Sequence, residues 1–256
     1  MDILINKTDG MLRIEFNRPT KKNAITGAMY QTMADALQEA ESDAAIRAIL
    51  ICGKPDIFTA GNDLEDFMKT STAGPIGVRP VAQFMWNLSH ASKPVVAAVS
   101  GMAVGIGTTL LMHCDLVYAG DNAKFSMPFT QLGLCPEFAS SMLFPQMVGY
   151  PRAAEKLLLG DSFSAQEAYD MGLVSKVVAT DDLLAFATAQ AAKLVALPAS
   201  SLRATKSLMK SAQADAIQAQ MKEENNYFGG MLSAPEAKEA FAAFFQKRKP
   251  DFTQFA

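Results

Sequence analysis

The stretch "KPVVAAVSGMAVGIG", residues 93–107, predicts the fold class of this 256-residue chain. Its first half is an uninterrupted run of small and β-branched apolar residues, which indicates a buried strand from Pro94 to Val99. The glycines at 101, 105 and 107 then predict a tight turn, after which "TTLLMHC" continues as a helix. A buried strand joined to a helix in this way is typical of α/β proteins.

The same succession of strands and helices precedes this stretch. "MLRIEF", from Met11 to Phe16, alternates apolar and polar residues as a strand does. Thr26 then caps a helix in which apolar side chains recur at helical spacing. "AIRAILICG", from Ala45 to Gly53, is a buried strand that ends on glycine. An α/β pattern is therefore present before residue 93.

Beyond residue 107 the pattern continues and then changes. "DLVYAG" predicts another strand, and Pro151 opens a helix that Gly160 ends. Ser164 and Glu167 form a capping box for the next helix, which is followed by a strand in "LVSKVV". From about Ala179 onward the alanine-rich sequence is helical throughout, with no strand signal. The chain is therefore predicted to be an α/β core followed by a C-terminal helical segment.

Composition limits the kinds of partner and compartment. The net charge of -3 gives no overall attraction to nucleic acid or to an anionic membrane. No stretch approaches the roughly 18 consecutive apolar residues of a membrane span, and the first residues lack the pattern of a signal peptide. Three scattered cysteines are too few for a disulfide framework and suit a reducing compartment. We therefore expect a cytoplasmic protein that binds neither nucleic acid nor membrane.

Sites for a metal or a nucleotide cofactor are not expected. The two histidines, His90 and His113, have no second histidine or carboxylate at ligand spacing, and a structural role is favoured for His113. The glycines of "VSGMAVGIG" do not have the G-x-G-x-x-G spacing of a dinucleotide site. The G-x-S-x-G motif of a serine hydrolase is absent as well.

Two loops that follow buried strands are candidates for binding a ligand through the main chain. They are "FTAGNDLEDF", residues 58–67, and "GMAVGIGTTLL", residues 101–111. Small residues in both loops let the backbone come close to a ligand with free N–H groups, and two such donors aimed at one point form an oxyanion hole. Alternatively, the glycines only permit tight packing of strand against helix. The local sequence leaves both interpretations open.

Taken together, these motifs identify a resemblance to the crotonase, or enoyl-CoA hydratase/isomerase, superfamily. The resemblance extends from about Gly10 to Pro250 and rests on five motifs in order, namely "NRPTKKNAI" (17–25), "FTAGNDL" (58–64), "KPVVAAVSGMAVGIG" (93–107), "CDLVYAGDNAKFSMP" (114–128) and "SAQEAYDMGLVSKVV" (164–178). It implies a spiral of ββα units over residues 1–199 and a C-terminal helical oligomerisation segment over residues 200–256. It also implies an acyl-CoA thioester substrate, homotrimers or dimers of trimers, and no separate cofactor, because coenzyme A is part of the substrate.

The resemblance also implies which residues act on the thioester. The main-chain N–H groups of Asn62 and Ile106 occupy the positions that stabilise the enolate oxygen. The family's hydratases use two glutamates to add water, but the matching positions here are Thr109 and Phe129. Hydration needs a base for water and an acid for C2, and neither side chain supplies one. The sequence therefore argues against an efficient hydratase.

Glu137 is the single residue of "FSMPFTQLGLCPEFASS", residues 125–141, that carries a charge at neutral pH in its ordinary state. Its segment, "LGLCPE", is similar to the "LG-x-x-PE" segment of the peroxisomal-type Δ3,Δ2-enoyl-CoA isomerases, in which one glutamate is the only acid and base. Apolar neighbours such as Phe129 and Leu134 would raise the pKa of this carboxyl group and make it a stronger base. The competing interpretation is that Glu137 lies near the N-terminus of a helix opened by "PEFASS" and stabilises that end.

The resemblance further implies the residues that hold the CoA thioester, namely Lys22, Asn23, Ala24, Ala60, Gly61, Asp63, Leu64, Gly105 and Phe129. Lys247, Arg248 and Lys249 are candidates for contacting CoA phosphates, and a solvated basic tail is the alternative. Residues 68–92 are expected to contribute to the acyl pocket, with Phe84, Met85 and Leu88 as lining.

The function that follows as a hypothesis is isomerisation of a 3-enoyl-CoA to the trans-2-enoyl-CoA, with Glu137 transferring the proton. Two alternatives stay open. One is another crotonase reaction, either hydratase-like or a ring-oxepin isomerisation. The other is a subunit that binds acyl-CoA without catalysis. An RNA-binding role is disfavoured, because the chain lacks a basic stripe with aromatic residues.

Overall fold

The computed structural model describes residues 1–71 and 79–255, and within them two β-sheets and eleven α-helices surround one main core. The larger sheet has six strands in the order β1-β2-β3-β5-β7-β10. β1 pairs antiparallel with β2, and every other pair in this sheet is parallel. Its strands are β1 (Ile3–Thr8), β2 (Met11–Phe16), β3 (Ala48–Cys52), β5 (Val95–Val99), β7 (Leu116–Gly120) and β10 (Lys176–Val178).

The smaller sheet has four short strands in the order β4-β6-β8-β9. They are β4 (Ile57–Thr59), β6 (Met102–Val104), β8 (Lys124–Ser126) and β9 (Phe163–Ser164). Each of the pairs β3/β4, β5/β6 and β7/β8 places its first strand in the larger sheet and its second strand in the smaller one. The chain therefore advances through both sheets together, and this is the spiral of ββα units that was predicted.

The helices pack around the sheets and continue alone after the last strand. They are α1 (Gly27–Ser42), α2 (Leu64–Ser71), α3 (Pro80–Ser89), α4 (Ile106–Thr109), α5 (Ser140–Val148), α6 (Tyr150–Ala154), α7 (Ala165–Asp170), α8 (Leu183–Ala196), α9 (Ala199–Lys210), α10 (Ala214–Ser233) and α11 (Pro235–Phe245). The caps predicted from the sequence are confirmed, because the Thr26 side chain accepts a hydrogen bond from the Met29 N–H and Ser164 and Glu167 form a capping box.

The central strands are buried on both faces, which explains why their sequences are uninterrupted runs of apolar residues. In β3, Ile49 and Ile51 face the main core, whereas Leu50 and Cys52 face a second, smaller cluster under α8. β5 alternates in the same way between the two clusters. A parallel strand covered on both sides needs apolar residues at every position, so polar alternation is lost.

The turn between β5 and β6 requires glycine at position 101. Gly101 has a φ of 65°, and a Cβ atom at this position would collide with the Asp56 carbonyl oxygen. The turn brings the chain directly from the larger sheet into the smaller one. The local geometry therefore depends on the absence of a side chain.

Two sequence-based predictions differ from the structure in this region. The helix expected through "TTLLMHC" is only Ile106–Thr109, followed by a 3₁₀ turn over Leu110–His113. Residues 102–104, expected as part of a turn, form β6. Such three-residue strands lie below the length at which a periodic pattern is recognisable.

Among the described residues, no single helix has the length and apolar composition to cross a membrane. One pair of helical segments, 180–196 and 199–233, meets these two criteria only when its members are taken together, and it is bent by 107°.

Candidate active site

A cavity of about 880 Å³ opens where loops of the two sheets meet the C-terminal helices. Its walls come from parts of the chain that are far apart in sequence. The lining residues include Lys22, Ala24, Ala60, Gly61, Asn62, Asp63, Leu64, Gly105, Ile106, Phe129, Leu134, Phe228, Phe244 and Phe252. The lining is mainly apolar, with a few main-chain and charged groups, as is usual for sites that bind small molecules.

Asn62 and Ile106, whose main-chain N–H groups were predicted as donors to the thioester, both line this cavity. Asn62 forms a parallel bridge with Ile25, in which the Ile25 N–H donates to the Gly61 carbonyl and the Asp63 N–H donates to the Ile25 carbonyl. The N–H of Asn62 points the opposite way, because successive N–H groups alternate in extended chain. Among the described residues, neither the Asn62 nor the Ile106 N–H has a hydrogen-bond acceptor in the chain.

The structure brings together all but one of the residues expected to hold the thioester. Lys22, Ala24, Ala60, Gly61, Asp63, Leu64, Gly105 and Phe129 all line the cavity. The exception is Asn23, whose side chain is fully buried and bonded to the main chain at Arg18, Ile57 and Phe58. Its expected contact with the substrate is therefore corrected, because its polar atoms hold the loop in place instead.

Local interactions explain why the loop before α1 faces the cavity. Lys22 and Asn23 both have positive φ values, 51° and 54°, which reverse the chain direction. Arg18 bonds the Ala24 carbonyl at 2.8 Å and the Asp63 carboxylate at 2.7 Å. Burial raises the pKa of Asp63, but the hydrogen bonds from Arg18 and from main-chain N–H groups outweigh burial, so the pKa is lowered overall. This ion pair ties the first lining loop to the second.

Glu137 is buried next to the cavity and has an unsatisfied carboxyl oxygen. Only 6% of the residue is exposed, and its Oε1 atom is buried without a hydrogen-bond partner. Burial, and then the negative charge of Glu224, raise the pKa of Glu137 to about 8. Glu137 is not itself among the lining residues, although Phe129 and Leu134 of the same segment are.

Tyr30 is linked to both Asn62 and Glu137. Its hydroxyl group donates to the Asn62 side-chain oxygen at 2.5 Å. Burial and the nearby charge of Glu137 raise the pKa of Tyr30 well above its usual range. Glu137 is therefore near enough to Tyr30 for its charge to be felt there, on the side of the cavity that carries the Asn62 N–H. No sequence pattern singled out Tyr30, since it is one of several buried positions on α1.

The two positions at which the superfamily's hydratases carry glutamate are both buried here. Thr109 is completely buried, and its hydroxyl oxygen has no hydrogen-bond partner. Phe129 is 5% exposed and contributes its ring to the cavity wall. Neither side chain can exchange a proton with substrate at neutral pH.

The competing interpretation of Glu137 was that it stabilises the N-terminus of α5. In the structure a different glutamate, Glu224, caps this helix. The Ala139 and Ser141 N–H groups donate to the carboxylate of Glu224, at 2.6 Å and 3.0 Å. No side chain of the N-terminal segment caps this helix. Glu224 lies on α10, far along the chain from residues 139–141, so no local sequence pattern indicated this contact.

His113 has the structural role that was favoured for it. Its Nε2 atom lies 2.8 Å from the Phe138 carbonyl oxygen, and its ring stacks on the Phe138 ring at 3.9 Å between centroids. Burial lowers the pKa of His113 to about 3, so the ring is neutral and Nε2–H donates to the carbonyl. In the described part of the chain, no group of three or more His, Cys, Asp or Glu side chains is placed to hold a metal ion.

The basic cluster near the C-terminus lies partly at the cavity. Arg248 and Lys249 line it and Lys247 does not. Arg248 makes a two-point contact with the Glu239 carboxylate, so its charge is already partly neutralised. The pair tethers the residues that follow α11.

The expected acyl lining from α3 is corrected. Phe84, Met85 and Leu88 are buried in the main core and do not line the cavity, because α3 packs closely against α1. The rest of the segment expected to shape the acyl pocket includes residues 72–78, which lie outside the described residues.

Comparison with known proteins agrees with the geometry. The family model described as enoyl-CoA hydratase/isomerase matches residues 6–255. The chain is 32% identical to a 2,3-dehydroadipyl-CoA hydratase of Escherichia coli over 98% of both chains. It is 36% identical to enoyl-CoA delta isomerase 2 of Rattus norvegicus, over 97% of this chain and 64% of that longer protein.

A solved structure gives the same result for the fold. The crystal structure of an enoyl-CoA hydratase/isomerase from Pseudoalteromonas atlantica T6c superimposes with a TM-score of 0.93 at 39% identity. The match covers 99% of this chain and all of the other. With its spiral of ββα units and its loop-lined cavity, the chain belongs to the enoyl-CoA hydratase/isomerase family.

Proposed function

We propose that this protein is an isomerase that converts a 3-enoyl-CoA to the trans-2-enoyl-CoA. The observation that carries the proposal is the state of Glu137, a buried carboxyl group with an unpaired oxygen and a pKa of about 8 beside the cavity. A general base works best when its pKa lies near the working pH, and a carboxylate of ordinary pKa would be a much weaker base.

Each step of the proposed reaction uses one group of the chain. The Glu137 carboxylate removes a proton from C2, and the electrons of that C–H bond form a dienolate whose negative charge lies on the thioester oxygen. The N–H groups of Asn62 and Ile106 donate to that oxygen and stabilise it. The carboxylic acid of Glu137 then returns the proton to C4, which leaves a C2=C3 double bond and regenerates the carboxylate. No water is consumed.

The residues at the hydratase positions support isomerisation over hydration. Adding water to a 2-enoyl thioester needs an acid and a base, and Thr109 and Phe129 provide neither. Glu137 is the one buried carboxyl group beside the described part of the cavity whose oxygen lacks a partner. A proton shuttle between C2 and C4 needs only one such group.

The test replaces Glu137 with an isosteric amide. Glu137→Gln is expected to lower kcat for a 3-enoyl-CoA by about 10²- to 10⁴-fold, because the base is lost. Binding of a saturated acyl-CoA, measured by titration calorimetry, is expected to stay unchanged, since the cavity wall is intact. The exposed Glu223→Gln is the matched control and should behave as the wild type.

Three outcomes would overturn the proposal, each in a different way. Normal turnover by Glu137→Gln would show that another group is the base. Faster hydration of a 2-enoyl-CoA than isomerisation of a 3-enoyl-CoA would make the protein a hydratase, as the name of the Escherichia coli relative suggests. Acyl-CoA binding without turnover of either thioester would show that the protein is a subunit that binds acyl-CoA without catalysis.

Assembly into homotrimers or dimers of trimers is part of the proposal. Large apolar side chains on the C-terminal helices are exposed in the single chain, among them Leu208 (81%), Met209 (68%) and Tyr227 (64%). Large apolar side chains exposed in a single chain are candidates for contacts between subunits. Light scattering on the purified protein measures the assembly directly.

A further inference from the structure

We propose that Glu224 is a positioning residue for Glu137, because its carboxylate anchors the strained backbone turn that aims the Glu137 side chain. This inference rests on the proposed function, in which Glu137 is the base. Glu224 lies on α10 and contacts the turn through its carboxylate. It is itself buried, with 5% of the residue exposed.

The turn that follows Glu137 has an unusual backbone. Phe138 and Ala139, the next two residues, have positive φ values of 62° and 56°. Residues with a Cβ atom rarely adopt this conformation, so two in succession need support from the surrounding structure. Without that support the turn would relax, and the direction of the Glu137 side chain would change with it.

Glu224 provides three hydrogen bonds to this turn. Its Oε2 accepts from the Ala139 N–H at 2.6 Å, and its Oε1 accepts from the Ser141 N–H at 3.0 Å and from the Ser141 hydroxyl group at 2.5 Å. Gln220, one helical turn earlier on α10, donates to the same hydroxyl oxygen at 2.9 Å. The Ala139 bond is made directly at one of the two left-handed residues.

These bonds also explain why Glu137, and not Glu224, has a carboxyl oxygen without a hydrogen-bond partner. The first N–H groups of α5 lack partners within the helix and attract a carboxylate. Because Glu224 occupies them, Glu137 is not drawn into a cap, and its Oε1 atom has no partner. One carboxylate thus performs the structural task and leaves the other available for chemistry.

Several titratable groups lie around the Glu137 turn, and among the described residues the negative charge of Glu224 is the one that raises the pKa of Glu137. Burial raises the pKa of Glu224 too, and its hydrogen bonds from Ser141 and Ala139 oppose that rise. Tyr30 on α1 is neutral at working pH, because its pKa is raised. His113 in the turn after α4 is neutral, because burial lowers its pKa to about 3. Cys135, on the same segment as Glu137, has a pKa raised to about 11 by burial and is neutral as well. Removal of the Glu224 charge should therefore lower the pKa of Glu137.

The experiment compares Glu224→Gln with the wild type. We expect kcat to fall by about 10- to 100-fold with little change in KM, since a base displaced by about 1 Å loses catalysis and not binding. We also expect the rise of kcat/KM with pH to shift to lower pH, because the negative charge that raises the pKa of Glu137 is removed. A merely structural role would not move this midpoint.

Two further variants separate the effect of the Glu224 charge from the effect of its hydrogen bonds to the turn. Ser141→Ala removes one bond to Glu224 but keeps the charge, so a smaller loss of kcat without the shift in midpoint is expected. Glu223→Gln, the exposed neighbour on α10, is expected to change neither. Circular dichroism of each variant shows whether the fold is retained. Wild-type kcat and pH midpoint in folded Glu224→Gln would overturn the inference.

A measurement that does not depend on turnover keeps the inference separate from the proposed reaction. Carboxyl-carbon NMR titration of Glu137, and hydrogen exchange at the Ala139 and Ser141 N–H groups, apply even if no enoyl-CoA is a substrate. We expect a lower pKa of Glu137 and faster exchange in Glu224→Gln. If the wild type is inactive but these changes occur, the proposed function fails and the positioning contact stands. If neither changes, the positioning contact fails.

Discussion

The carboxyl group of Glu137 combines two properties that rarely occur together in a folded protein. It is almost completely buried, and one of its oxygens has no hydrogen-bond partner. Burying an ionised carboxylate without a partner is costly, so the group keeps its proton to a higher pH than usual. The cost to stability is the source of the basicity that the proposed reaction needs.

The pH dependence of the reaction follows from the pKa of this one residue. Glu137 must be ionised to remove a proton, and its pKa is raised to about 8, so kcat/KM for a 3-enoyl-CoA should rise with pH. The midpoint is expected near pH 8, because kcat/KM reports the free enzyme. Initial rates between about pH 6 and about pH 10 measure it. A profile that is flat across this range would contradict the assignment.

At the scale of single residues, the sequence predicted a candidate base but not the groups that surround it. Glu137 was recognisable because it is an isolated charge in an apolar segment that matches a family motif. Glu224 and Tyr30 were not, because their roles arise from contacts between segments distant in the chain. Asn23 was misassigned, since a motif position does not show which way a side chain points.

At the scale of elements, the turn between β5 and β6 requires glycine at residue 101. Gly101→Ala is expected to destabilise the protein by about 2–4 kcal/mol, from the left-handed conformation and from collision with the Asp56 carbonyl oxygen. Gly172→Ala is the matched control, because Gly172 also has a positive φ but has open space around it. Its cost should be about 1–2 kcal/mol, from conformation alone.

Urea unfolding of the two variants measures the difference. Equal losses of stability at positions 101 and 172 would show that the backbone around Asp56 can move aside. A loss confined to Gly101→Ala would show that the left-handed conformation at residue 172 costs little in this setting.

The elements that could be predicted were the long ones and those with caps. β3 and β5 were evident as apolar runs, and α1 and α7 were evident from Thr26 and from the Ser164–Glu167 capping box. The strands of the smaller sheet were not recognisable in the sequence, because β4, β6 and β8 have three residues each. Their pairing depends on the larger sheet having already formed, and no local pattern reports that.

At the scale of the whole molecule, the buried acid at position 137 should reduce stability as pH rises. Between its ordinary pKa of 4.5 and its folded pKa of about 8, the folded state holds a proton that the unfolded chain has released. The unfolded state binds fewer protons over this interval, so the free energy of unfolding falls as pH increases and levels off above it. This destabilisation is largest at high pH.

Glu137→Gln removes the titrating group and should therefore be more stable than the wild type at high pH. The difference in free energy of unfolding is expected to grow by on the order of 3 kcal/mol between about pH 5 and about pH 9. Urea unfolding of both proteins at the two pH values measures it, with Glu223→Gln as a control that follows the wild type. A difference that stays constant or shrinks with pH would mean that Glu137 titrates normally in the folded protein.

Glu224, which anchors the turn after Glu137, and several residues that line the cavity lie in the helical segment that follows the last strand. During translation, the segment with the reactive glutamate leaves the ribosome well before α10 and the residues up to Phe252 that line the cavity. Residues 1–178 contain the strands of both sheets, yet a nascent chain of this length lacks the anchor at Glu224. Nascent protein should therefore lack the contact that positions Glu137 until α10 has left the ribosome.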